Sequence, residues 1–424
     1  MKHKLLLLAL STLCLFSCEK KSDPTPEPVN QFNITFKAPY LATAEFEVLI
    51  SQQDGKVLLD TLLNAAYDHP LKITSKDAKL NITTITKYTD IDPAYYGIST
   101  FMQVDPDTWE ITESYDNFYG AASYTHTAQA RSKITYNIPT LNKNFNYYDH
   151  YFSATNYPGS GGTYSSDNYD ITYQRMLPSS LTYLLLPQRG KYFFKEVTTD
   201  NVRVEESEAK DVTKHNFILP EKFTVNSVYL DGYQKAGIYQ DPLKIYHTVM
   251  VNIFYPPAEK PSLPHLMYPE KIFEEYELLT TLGDADKNAY SYYSVVKNIP
   301  ADLSFISKPN YNIVSKAFNN FKIEFSKEKP TYYALHLLTD AKVLHSNWLV
   351  QLPAEMTSFN ADNFIKSLNP KLLRDKNLNS FNIKTVIIAD ATGYGYQDFF
   401  GYVFDSEELQ KKKIRQFLKF QVNL

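Results

Sequence analysis

The stretch FEVLISQQDGKVLLD, residues Phe46 to Asp60, contains two apolar runs broken by Asp54-Gly55. Phe46, Val48 and Ile50 alternate with Glu47, Leu49 and Ser51. Alternation with a period of two predicts a strand with one face turned inward. Asp-Gly is a strong signal for a tight hairpin turn, because glycine accepts the positive φ such turns need. A β-hairpin is therefore expected here.

The same period recurs along the chain. FNITFK places Phe32, Ile34 and Phe36 on one side. KLNITTITKY sets Leu80, Ile82 and Thr84 against Asn81, Thr83 and Ile85. KFTVNSVYL puts Phe223, Val225 and Tyr229 together, and FKIEFS aligns Phe321, Ile323 and Phe325. FNIKTVIIAD and IRQFLKFQV continue the pattern. Turn signals lie between the runs at Asp105-Pro106, Tyr157-Pro158-Gly159, Asp231-Gly232 and Pro256-Pro257. Many short strands separated by turns predict an all-β chain of sandwich domains. Tyr (34) and Phe (26) dominate the aromatic content, which suits half-buried pleated surfaces. One or two short helices are expected. YPEKIFEEYELLTTLG (268–283) has Ile272, Phe273, Tyr276 and Leu279 at helical spacing, with Pro269 at its start and Gly283 at its end. NADNFIKSLNPKLLRD (360–375) turns Phe364, Ile365 and Leu368 one way until Pro370 stops it.

The N-terminus carries a different message. Lys2 and Lys4 precede an apolar core from Leu5 to Phe16. That run is too short for a membrane span, which needs roughly 20 residues, but it suits a signal peptide. Leu15-Phe16-Ser17-Cys18 resembles a bacterial lipobox. The resemblance implies lipidation of Cys18 and removal of residues 1–17. It also implies anchorage to the membrane through the lipid. Removal of Cys14 would leave Cys18 without a disulfide partner. One acyl chain binds a bilayer only marginally, so stable anchorage implies more than one chain on Cys18. Residues 18–30 form a Pro-rich linker with Pro24, Pro26 and Pro28, an extended spacer. Lys20 and Asp23 resemble the export signal of Bacteroidota surface lipoproteins. That likeness implies the outer membrane, and its cell-surface face over its periplasmic one.

About 400 residues beyond the linker exceed one ordinary core. The expected folded blocks are 31–141, 142–220, 221–345 and 346–424, the last able to merge with its neighbour. The first has the length of an immunoglobulin-like or transthyretin-like sandwich, and Phe46–Asp60 resembles the opening hairpin of such modules in Bacteroidota lipoproteins. With 43 basic and 47 acidic residues the net charge is −4, so no global field recruits nucleic acid. The longest basic run, Lys411-Lys412-Lys413, reads as a solvated turn or edge strand.

Chemical motifs are sparse. PGSGGTYSSD (158–167) has the glycines of a phosphate cradle but no following helix, and reads as a surface loop. GDADKNAY (283–290) spaces Asp284, Asp286 and Asn288 like a calcium loop. Ala289 and Val295 stand where that loop needs Gly and Glu, so an acidic turn is expected. The histidines are scattered, and neither His-Glu-x-x-His nor Gly-x-Ser-x-Gly occurs. No catalytic, metal or cofactor residue is therefore assigned.

Two aromatic clusters remain. NFNYYDHYFSATNY (144–157) holds Phe145, Tyr147, Tyr148, Tyr151, Phe152 and Tyr157, and GYGYQDFFGYVF (393–404) is similarly rich. Neighbours on a strand face opposite sides, so Tyr147 and Tyr148 cannot share one core. Exposed rings would bind glycans or proteins; inward rings would pack cores and junctions.

The sequence thus predicts a non-catalytic, lipid-anchored β-sandwich protein that binds or scaffolds at the cell surface, with a glycan or protein ligand. The alternative is a glycan-binding or carbohydrate-active protein of a nutrient-uptake system. Replacing Cys18→Ala is expected to release the protein from the membrane fraction and to abolish metabolic labelling with palmitate. Retention of the variant in that fraction would contradict the lipid anchor.

Overall fold

The computed structural model describes residues 29–38, 45–64, 66–89, 92–111, 130–138, 150–155, 162–165, 168–175, 177–239, 242–247, 266–326, 328–340 and 344–424. Cys18 and residues 1–17, the Pro-rich linker up to Pro28, and Phe145, Tyr147, Tyr148 and Tyr157 lie outside the described residues. The chain is all-β, with several sheets stacked as in sandwiches and three short α-helices among the described residues.

Strand β1 (Asn30–Phe36) buries Phe32, Ile34 and Phe36 and exposes Gln31 and Asn33. Strands β2 (Glu45–Ser51) and β3 (Val57–Leu63) form the expected hairpin. Gly55 in its turn has φ +88°, and Asp54 accepts from the Lys56 N–H at 2.9 Å. β4 (His69–Ser75) pairs with β1. β5 (Leu80–Tyr88) and β6 (Tyr95–Val104) follow as a hairpin, and β7 (Trp109–Ile111) runs parallel to β1.

The middle of the chain builds a two-sheet sandwich. One sheet contains β8 (Ala130–Asn137), β10 (Gly162–Ser165), β11 (Asn168–Arg175) and β14 (Asn201–Glu205). The other contains β9 (Tyr151–Ala154), β12 (Ser180–Leu186), β13 (Lys191–Val197) and β15 (Lys210–Asp211). Their shared core includes Ile134, Tyr136, Tyr169, Leu184 and Phe193. The loop expected over 158–167 thus contains a strand, β10. Its pairing with β11 recruits Gly162–Ser165 into the sheet.

The rest of the chain supplies β16 (Thr213–His215), β17 (Thr224–Tyr233), β18 (Leu243–His247), β19 (Leu266–Tyr268), β20 (Glu275–Gly283) and β21 (Ala289–Val296). Next come β22 (Tyr311–Ala317), β23 (Asn320–Phe325), β24 (Tyr332–Leu338), β25 (Ser346–Leu352) and β26 (Ser358–Phe359). Helix α1 (Ala361–Leu368), β27 (Asn382–Ala391), helices α2 (Tyr396–Val403) and α3 (Ser406–Gln410), and β28 (Gln416–Asn423) complete it. Helix α1 forms as expected. Phe364, Ile365 and Leu368 are buried, Asn360 caps the Asn363 N–H, and Asn369 ends it with φ +46°.

Two expectations are corrected. The segment 268–283 is not a helix, because its second half is strand β20, paired on both sides with β17 and β21. Tyr276, Leu278 and Leu282 share one face of the strand, whereas the helical spacing grouped Tyr276 with Leu279, which lies on the other face. In β17 the inward set is Val228 and Leu230, not Tyr229. A bulge between Val225 and Ser227 inserts a residue and reverses the phase of the alternation.

A twelve-stranded sheet organises the molecule, in the order β18–β17–β20–β21–β28–β27–β24–β25–β6–β5–β2–β3. It draws strands from the blocks 31–141, 221–345 and 346–424, and β24–β25 is a hairpin that spans position 345. The strands of the N-terminal block meet those of the later blocks where β25 runs parallel to β6, from Ser346 opposite Tyr96 to Gln351 opposite Phe101. Both faces of the sheet are covered. On one, Phe46, Val48, Ile50 and Phe101 pack with Phe36, Trp109 and Phe400 from β1, β7 and α2. On the other, Leu49, Ile98, Leu335 and Trp348 pack with Phe321, Phe364 and Tyr183. The second half of β12 is continuously apolar because Tyr183 and Leu185 face this core while Leu184 and Leu186 face the sandwich core.

At the parallel seam the Trp348 indole N–H donates to Thr100 Oγ1 at 2.9 Å, and the Thr83 and Thr100 hydroxyls lie 3.0 Å apart. Thr100→Val keeps the shape and removes the acceptor. It is expected to cost about 1–3 kcal/mol, because a buried N–H is left unmet. The readout is a lower urea midpoint at unchanged slope. Thr83→Val, which leaves the indole bond in place, is expected to cost less.

Candidate functional site

A cleft of about 410 Å³ opens on the face of the long sheet where β21, β28 and β27 run side by side. Leu418 and Phe420 of β28 and Ile388 of β27 form its floor, with Tyr290 of β21 at one side. Two irregular segments, Ile306–Asn310 and Glu328–Pro330, rise as walls, and Phe325 at the end of β23 joins them. The floor is stiffened by ring contacts. Tyr290 and Phe420 are 4.6 Å apart, Phe223 lies 4.6 Å from Tyr290, and Tyr311 lies 5.8 Å from Phe420.

The rim is charged. Lys308 lies 5.3 Å from the centre of the Tyr311 ring, and Lys329 pairs with Glu355 at 3.7 Å. Asp390 accepts from the Thr331 hydroxyl at 3.4 Å. The crowded walls raise its carboxyl above the ordinary value, against that hydrogen bond, and the charge of Glu328 raises it further. Such an arrangement offers apolar contact below and charges of both signs above. A second cavity, of about 450 Å³, lies beside β12 and β17 and is lined by Leu181, Glu196, Gly232 and Ile238.

The acidic turn is as expected. The Asp284 carboxylate accepts from the backbone N–H groups of Asp286 and Asn288, the Asn288 side chain and the Tyr290 hydroxyl, all within 3.0 Å. Those donors hold its pKa down despite the desolvation that opposes them. The residues fix the β20–β21 turn, and through Tyr290 they fix one side of the cleft.

Among the described residues the aromatics point mostly inward. Trp348 is fully buried and Trp109 nearly so. Tyr151 and Phe152 of the first aromatic cluster are buried, and so are Tyr396, Phe399, Phe400 and Tyr402 of the second, which forms helix α2. Tyr67 and Phe305 are the large rings that are substantially exposed among the described residues. No helix among them is long and apolar enough to cross a membrane.

The basic run 411–413 is corrected in part. Lys411 and Lys413 pair with Glu408, but Lys412 is buried and its ammonium lies 2.8 Å from the buried Glu277. The Tyr233 hydroxyl donates to the other oxygen of Glu277. Desolvation would raise the Glu277 carboxyl; the Lys412 charge and the hydrogen bonds from Lys412, Tyr233 and Tyr293 outweigh it and hold the pKa below 4.5. Beside it Arg415 pairs with Glu275 at 2.5 Å, and Tyr239 donates to Glu275 at 2.8 Å. These partners are closed on one another and brace β20 against the turn after α3.

Sequence reasoning did not single out Lys308, Glu328 or Asp390. The available signal was the pair of Lys-Pro steps at Lys308-Pro309 and Lys329-Pro330. No family model matches the chain, and no curated protein matches it.

Lys412→Met leaves a buried carboxylate without its cation and is expected to destabilise the fold by about 3–5 kcal/mol. Adding Glu277→Gln to that variant is expected to recover most of the loss in urea unfolding. The pH dependence has a definite sign. A folded-state pKa held below the unfolded one stabilises above about pH 4.5, and the benefit fades as pH falls through the folded value. Wild type is expected to lose stability on acidification more steeply than the double variant.

Proposed function

We propose that the chain is a non-catalytic cell-envelope lipoprotein, anchored through lipid on Cys18 at the outer membrane, which binds or scaffolds a partner at the cell surface. One observation carries the non-catalytic binding reading: most aromatic side chains among the described residues pack cores and sheet junctions, and the buried carboxylates Glu47, Glu275 and Glu277 are each engaged in holding strands in place. A glycan-binding surface would want flat rings open to solvent, since stacking needs an accessible face. Trp109 and Trp348 are instead deep in the two cores of the long sheet. The cleft between 306–310 and 328–330 is the proposed ligand site. The lipobox-like tetrapeptide and Lys20 and Asp23 support the address.

The test uses the mature lipidated protein. Trypsin shaving of intact cells is expected to remove it, and crosslinking on the cells is expected to capture a specific partner. On a glycan array the purified protein is expected to give no saturable signal. Saturable glycan binding that weakens on Phe325→Ala, or turnover of a glycan, would replace this reading with the carbohydrate one.

A further inference from the structure

The two walls of the cleft share a construction. One carries Lys308-Pro309 and the other Lys329-Pro330. The residue before a proline is disfavoured in the helical region, which biases both lysines toward extended backbone. Neither 306–310 nor 328–330 belongs to a strand, and neither joins a ladder. Extended main chain without a ladder is a template for another extended main chain.

The wall 328–330 carries charges of both signs, but its Lys329 is paired with Glu355 at 3.7 Å. Glu328 makes no ion pair among the described residues, and its charge acts on Asp390, whose hydrogen-bond partner is the Thr331 hydroxyl. That corner is anionic. On the opposite wall Lys308 meets the Tyr311 ring and no carboxylate among the described residues. The same cleft presents the half-buried apolar side chains of Phe325 and Leu418. A ligand that fits needs an apolar group, a cationic head and a carboxylate, set along a chain with its own hydrogen-bonding groups. A peptide has all four. A neutral sugar has none of the charges, and the rings Tyr290 and Phe420 that would stack on it are only 3 % and 4 % exposed. The cleft volume is at the low end of the range for small-ligand sites, so a few residues enter.

We infer that this cleft binds a short extended peptide with a free carboxylate, an apolar side chain on Phe325 and Leu418, and a basic side chain at Glu328 and Asp390. The inference rests on the reading of the chain as a non-catalytic binding module and names the ligand class of its site.

The experiment is fluorescence polarisation of the mature full-length protein in detergent, with fluorescein-labelled Leu-Arg-Leu as probe. Saturable binding is expected, weakening with salt. Glu328→Gln combined with Asp390→Asn is expected to weaken it about fivefold, since exposed charge pairs contribute modestly. On the wild-type protein, Leu-Glu-Leu is expected to bind at least as weakly, a comparison that needs no variant to fold. Lys308→Met is expected to weaken the free-acid probe and leave a C-terminally amidated one unchanged. No saturable binding, or equal binding of the Arg and Glu peptides, would overturn the inference. If crosslinking still captured a surface partner, the proposed function would stand without it. Hydrolysis of the probe would instead overturn the non-catalytic reading.

Discussion

The parallel pairing of β6 with β25 is the constraint on which the architecture depends. It joins strands whose hydrogen-bonded residues Thr100 and Trp348 are 248 positions apart in sequence. Bringing such distant segments together costs chain entropy, although the cost grows only slowly with loop length. The seam offsets it by burial. Trp348 is enclosed by Phe359, Phe364 and Phe381, and its one polar atom is bonded to Thr100. Without this contact the long sheet would be two sheets, each with a bare edge and a shorter core.

Other long-range ties reinforce the same junction. The Tyr396 hydroxyl donates to the Met102 and Gln351 carbonyls, on either side of the seam. The Glu47 carboxylate, buried in β2, accepts from the Lys371 and Leu372 N–H groups, and the Lys371 ammonium reaches Asp60 in β3 at 3.1 Å. Burial raises the Glu47 carboxyl and the two N–H bonds pull it back. A buried carboxylate is tolerated only where donors meet it. Each of these donors comes from the C-terminal part of the chain, so the polar interior of the N-terminal hairpin is complete only in the full fold.

This explains what the sequence shows and what it hides. Alternation in Phe32–Phe36, Phe46–Ile50 and Phe321–Phe325 marks strands because burial on a strand has a period of two. Asp54-Gly55 marks its hairpin because a local turn needs a local residue type. Strand β20 is hidden because Glu275 and Glu277, which look like the solvent face of a helix, are buried by Arg415 and Lys412 far along the chain. β17 is misread in phase because a bulge is a property of the pair, not of one strand. Lys412 sits in a run that looks solvated, and its burial follows from Glu277, 135 positions away. The cleft is hidden for the same reason. Its floor comes from β21, β27 and β28, and its walls are loops whose meeting no spacing records.

The placement of rings and charges then bears on function. An all-β chain with 34 Tyr and 26 Phe has more aromatic surface than one core needs. Among the described residues, most of it goes into a core on each face of the long sheet and a third core in the sandwich. Rings drawn inward this way are unavailable as open stacking platforms. At the cleft the floor rings remain locked against Phe223 and Tyr311, and selectivity passes to the rim. There Lys308, Glu328 and Asp390 line the same cleft as Phe325 and Leu418, and that mixture of charge and apolar surface favours a ligand that carries charge along an extended chain.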